Sequence, residues 1–152
     1  MNPSPNSLDT ERIESLKAGI LGALSLALAY GAIALGNALV LAKQFDVFRE
    51  VLVTAGVNLL VRIAIASLSG FLFGVTYRYI IRDEENPQLK AGAVLAFGLV
   101  RGLAPAEGYQ YIPDTFWLLG VLTIESIFSF AIARLTLDWA IHRHWIKPFK
   151  SG

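Results

Sequence analysis

Three ionisable residues stand where the chain is otherwise apolar: Arg62, Arg101 and Glu125. Asn58 precedes Arg62 by one helical turn and Ser129 follows Glu125 by one, so each shares a helix face with its charge. A carboxylate and two guanidinium groups in an apolar setting have two chemical uses. They can bind or pass an anion or a proton, because ionisable groups inside a membrane mark such paths. They can also form a buried ion pair that sets register between helices, which is the plainer use. Either way, Glu125 is expected to accept hydrogen bonds from Arg62, Arg101 or both. Two cations against one acid leave positive charge over, to be met by carbonyls, water or an acidic group from lipid or a partner.

Other reactive side chains are weaker candidates. His142 and His144 are the only histidines. They could ligate a metal or a chlorophyll-type pigment. Beside Arg143 and Lys147 they read better as interfacial residues that hold anionic lipid. Arg134 and Asp138, four apart, suit a helix-surface pair. Glu107 and Asp114 read as solvated loop acids. Ser25, Ser67, Ser69 and Ser126 have no neighbouring histidine in sequence, so none reads as a nucleophile. The pairs Gly70/Gly74 and Gly98/Gly102 are GxxxG spacings without the strand that a nucleotide fingerprint needs. They read as helix-packing faces. With no cysteine, thiol chemistry and disulfides are excluded, and a net charge of +1 lends no support to nucleic-acid binding. No catalytic residue and no cofactor is therefore expected, and the protein reads as non-enzymatic.

The elements that position these residues follow from composition. The 152 residues are 55% hydrophobic and 16% charged, against about 25% charged in an average soluble domain. Such a chain needs lipid or a partner to cover its apolar area. The expected fold is all-α: an integral membrane bundle of four transmembrane helices at about 18–42, 51–80, 87–104 and 114–141. Residues 1–17 read as a tail and short interfacial helix, 18–145 as the transmembrane domain, and 146–152 as a second tail. A cleaved signal peptide fits less well, since the first apolar run has spanning length. Asn86-Pro87 reads as an N-cap followed by the first helical residue of the third span. That span is the least apolar, because Arg101 offsets much of its hydrophobic content. Trp117 marks one interface, and Trp139 and Trp145 the other.

Lysine and arginine cluster at one set of ends: Arg12 and Lys17, then Arg78, Arg82 and Lys90, then Arg143, Lys147 and Lys150. The other two loops offer Lys43 and Arg49. The positive-inside rule places both termini in the cytoplasm or stroma.

The stretch from Tyr79 through Arg82-Asp-Glu-Glu-Asn-Pro87 to Leu99-Val-Arg-Gly-Leu-Ala104 resembles part of small, uncharacterised membrane proteins of cyanobacteria and chloroplasts. The resemblance implies a thylakoid or cyanobacterial membrane and carries no established activity. Small-residue faces and little mass outside the spans point to partners within the membrane: lipid, other transmembrane helices or the chain itself. The leading functional expectation is a subunit or assembly factor of a larger, photosynthetic membrane complex. The alternative is a small oligomeric transporter or channel for an anion or proton, built on Arg62, Arg101, Glu125 and Asn58.

Overall fold

A computed structural model describes residues 5–42, 51–81, 86–108 and 113–148. They form four α-helices: α1 (Pro5–Ala42), α2 (Val51–Ile80), α3 (Pro87–Leu103) and α4 (Pro113–His142), with a short 3₁₀ helix, Ala104–Gly108, after α3. There is no strand among the described residues. The loop with Lys43 and Arg49, the stretch 82–85 with Arg82, residues 109–112, and the end of the tail with Lys150 lie outside the described residues.

Helix is what an apolar chain in lipid must adopt, since it satisfies each backbone group locally. Hydroxyls within the helices follow the same logic. Ser67, Ser69, Thr123, Ser129 and Thr136 each donate to the carbonyl four residues back, at 2.7 to 2.9 Å. The Asn86 side chain caps α3 by accepting from Gln88 N at 3.0 Å, with Pro87 opening the first turn. The interfacial lead-in and the first span are one uninterrupted helix of 38 residues. Nothing between Lys17 and Ala18 breaks it, and Glu14 and Ser15 on the lead-in are buried against the bundle.

Each helix contains a stretch long and apolar enough to cross a membrane: Leu8–Gly36, Asn58–Ile80, Pro87–Ala106 and Leu119–His142. Large apolar residues such as Leu28, Leu60, Phe128 and Leu135 point outward along these stretches. Exposed apolar surface on this scale marks a membrane-facing protein rather than one solvated by water. At one end Trp139 packs edge-on to Trp145 at 5.1 Å and carries the Arg143 guanidinium over its ring. Trp117 is exposed near the start of α4, at the opposite end.

The helices pair as two antiparallel hairpins, α1 with α2 and α3 with α4, joined chiefly along α1 and α4. Glycines set both contacts. A Cβ on Gly22 or Gly70 would overlap the carbonyl of the other, and one on Gly74 would overlap the carbonyl of Ala18. Across the second hairpin, Gly98 lies against Ile127 and Gly102 against Thr123. In lipid no hydrophobic effect draws helices together, so close backbone approach is what holds them. By contrast, α2 touches α3 and α4 sparingly, and a gap opens between the hairpins.

Candidate functional site

The gap has a floor. Phe73 on α2 stacks on Tyr77 at 5.3 Å and meets Phe97 on α3 and Phe130 on α4 edge-on, at 5.4 and 5.1 Å. Phe73, Tyr77 and Phe130 are fully buried. Below this cluster, towards the start of α1 and the end of α4, polar groups close the bundle. Tyr77 Oη donates to Asp138 Oδ1 at 2.8 Å, and Lys90 Nζ donates to the same oxygen at 3.3 Å. Arg134 Nε lies 3.6 Å from Asp138 Oδ2. The expected Arg134–Asp138 surface pair is therefore part of a cross-helix group, because Asp138 also receives Tyr77 and Lys90.

Next to Tyr77 in the chain, Arg78 is buried and ties three segments together. Its Nη1 donates to the Glu11 carbonyl at 3.2 Å and to Ser15 Oγ at 2.7 Å, and its Nη2 pairs with the Glu11 carboxylate. Its Nε donates to the Lys147 carbonyl at 2.9 Å. Lys147 N in turn donates to Glu14 Oε2 at 2.9 Å. The C-terminal segment reaches this position through a turn at His144, which has φ 58°, with Trp145 N bonded to the Ala140 carbonyl. That is a helix stop usually built on glycine, and it places Ile146 in the core. In the sequence Arg78 reads only as one of the basic residues clustered at the cytoplasmic span ends. Its partners lie 63 to 69 residues away in the chain, so no local spacing announces them.

Above the floor is a cavity of about 950 Å³ walled by all four helices. Arg62, Arg101 and Glu125 all line it. Asn58 is exposed on α2 and is not part of the wall. The expected pairing is not formed: among the described residues, Glu125 makes no ion pair with either arginine. The reason lies in where Arg101 points. It sits in the last turn of α3 and reaches towards the first hairpin. There Nη1 donates to Ser69 Oγ at 3.2 Å, and the guanidinium lies over the Tyr30 ring at 5.6 Å. Glu125 belongs to α4, on the other side of α3. Ser129 bonds back to the Glu125 carbonyl rather than to its carboxylate. All three charges lie in the half of the bundle away from the chain ends.

Ser126 also lines the cavity, and its buried Oγ has no hydrogen-bond partner among the described residues. An unmet hydroxyl in an apolar interior costs about 1–3 kcal/mol, so it marks a place where a polar ligand group is useful. Tyr30, Ser69 and Ser126 are the polar wall residues that sequence reasoning did not assign to the site. Tyr30, the one aromatic hydroxyl in the first span, was the available signal. Elsewhere, His142 Nδ1 lies 3.1 Å from the Asp138 carbonyl, an acceptor only, which requires the proton on Nδ1. Among the described residues no group of histidines and acids converges as a metal site would require.

Fold and surface together define an all-helical, multi-pass membrane protein. Comparison with known protein families, characterised proteins and solved structures finds no match.

Proposed function

We propose that the protein is a non-enzymatic membrane carrier that binds an anion between its two helical hairpins. One observation carries this reading: a cavity of about 950 Å³, closed at one end, whose wall bears two guanidinium groups against one carboxylate. Its size lies at the upper end of the roughly 300–1,000 Å³ of ligand sites. Charge placed inside a membrane is costly, so two arginines there call for an anionic counterpart. Arg101, whose printed partners are the neutral Ser69 and Tyr30, favours a ligand in that role over an ion-pair lock with Glu125. The test is flux from proteoliposomes loaded with acetate, chloride or inorganic phosphate, for wild type, Arg62→Gln, Arg101→Gln and Glu125→Gln. Flux of one anion that falls about tenfold or more in the arginine variants supports the carrier. Flux indifferent to both arginines overturns it.

A second reading, a subunit or assembly factor, draws on a different observation. Gly31, Gly36, Gly92 and Gly120 have no described atom within 4 Å of where a Cβ would lie. These small positions are unused among the described residues and suit another helix. Co-purification of a defined larger complex, with no flux, favours this reading. Both termini on the cytoplasmic or stromal side, in a thylakoid or cyanobacterial membrane, remain the proposed placement.

A further inference from the structure

The cavity is open sideways. Ile65 and Leu72 on α2 and Val100 on α3 line it and are at the same time exposed, Val100 by 74%. They border the gap where α2 and α3 barely touch, and outside that gap the solvent is lipid. The interior is polarised along its length. Arg62, Arg101, Glu125 and Ser126 sit in its outer part, two cations against one acid, while Leu26, Leu72, Phe97 and Phe130, with Ser129 beside them, form the deeper and mostly apolar wall and floor. From Arg62 to Leu72 the α2 wall runs about 15 Å at 1.5 Å per residue.

We infer that the ligand is an anionic amphiphile of the bilayer, entering through the seam between α2 and α3 with its acidic head towards Arg62 and Arg101 and its acyl chain along the apolar wall. This rests on the anion-binding reading and narrows it. A small inorganic anion explains the arginines but not the rest. Water occupies about 30 Å³ per molecule, so an ion of a few waters' size would leave most of the 950 Å³ unfilled. It would also have no use for an apolar floor or a lateral opening. An amphiphile matches each feature: charge to the two cations, a hydrogen-bonding head near the unpartnered Ser126 Oγ, and a chain that passes from lipid into a seam lined by Ile65, Leu72 and Val100. Since lipid tails and this wall are equally apolar, the tail acts by concentrating the ligand in the bilayer at the seam and orienting it, which acetate lacks, while the head selects it over uncharged amphiphiles such as hexadecanol.

The experiment measures binding to the full chain in nanodiscs of zwitterionic phosphatidylcholine. Three probes separate the parts: palmitate, 1-hexadecanol (the tail without charge) and acetate (the charge without the tail). Palmitate is expected to bind saturably, with affinity at least tenfold above either control. Arg101→Gln should weaken it about tenfold or more, as loss of a charged hydrogen-bond donor does, and Arg101→Lys should restore part of the loss. Val100→Trp, a substitution on an exposed position, should weaken palmitate and leave acetate unchanged. Acetate bound as tightly as palmitate, with Arg101 dependence, overturns the amphiphile and leaves the anion site standing. Palmitate binding untouched by Val100→Trp overturns the lateral route. Hexadecanol bound as tightly as palmitate, or no probe sensitive to Arg101→Gln, overturns both the inference and the anion site beneath it.

Discussion

Replacing Gly74 by alanine adds one methyl group at the tightest point of the bundle. The new Cβ would overlap the Ala18 carbonyl and come within 3.1 Å of Gly19 Cα. These are backbone atoms of a buried helix segment, so no side chain can rotate away. Helix α1 must withdraw, and the neighbouring Gly22–Gly70 approach loosens with it. Overpacking of this kind costs about 1–3 kcal/mol. Alanine also returns about 1 kcal/mol of helix propensity over glycine. The control is Gly92→Ala on α3, an exposed position where no described atom lies within 4 Å. There the propensity gain acts alone and should stabilise by about 0.5–1 kcal/mol. Subtracting the two variants cancels propensity and leaves the packing cost, about 1–3 kcal/mol with Gly74→Ala the less stable. Reversible unfolding in mixed dodecylmaltoside and dodecyl sulfate micelles, followed by circular dichroism, reads this difference. If Gly74→Ala gains as much stability as Gly92→Ala, backbone contact between α1 and α2 does not hold the hairpin and the packing argument fails.

Arg78→Gln removes a buried cation from Glu11, Ser15 and the Lys147 carbonyl. Breaking a buried pair costs about 3–5 kcal/mol, and Glu11 is partly exposed, so about 3 kcal/mol in the same micelle assay is expected. A loss under 1 kcal/mol would remove Arg78 from its bridging role. Tyr77→Phe deletes one hydrogen bond to Asp138 and keeps the ring stack on Phe73. It should cost about 1–1.5 kcal/mol, and a variant more stable than wild type in that assay would contradict the closed floor. The chain has no cysteine, so single cysteines report sidedness without background. Ser7→Cys and Lys147→Cys should react with an impermeant maleimide from the cytoplasmic side, and Ala106→Cys from the other. Labelling of Ser7→Cys and Lys147→Cys from opposite sides is incompatible with an even number of crossings.

Much of the architecture is readable from the order of residues, because in lipid the rules are local. Helix length follows from bilayer thickness, the Asn86-Pro87 start from cap chemistry, and the α3 weakness from one arginine in a short span. The glycine spacings mark faces without saying which helix each face meets. Arg62, Arg101 and Glu125 stand out as expensive groups from their surroundings alone, before any contact is known.

What only the folded bundle decides is how those groups are used. A helix shows where a side chain points about its own axis, but not how that axis is rotated against three others. That rotation sends Arg101 to Ser69 and Tyr30 instead of Glu125, and it buries Arg78 beneath residues more than sixty positions away. The cavity has the same origin. It is the space left where α2 and α3 diverge above the Phe73, Phe97 and Phe130 cluster, and a divergence between helices has no counterpart in the linear chain.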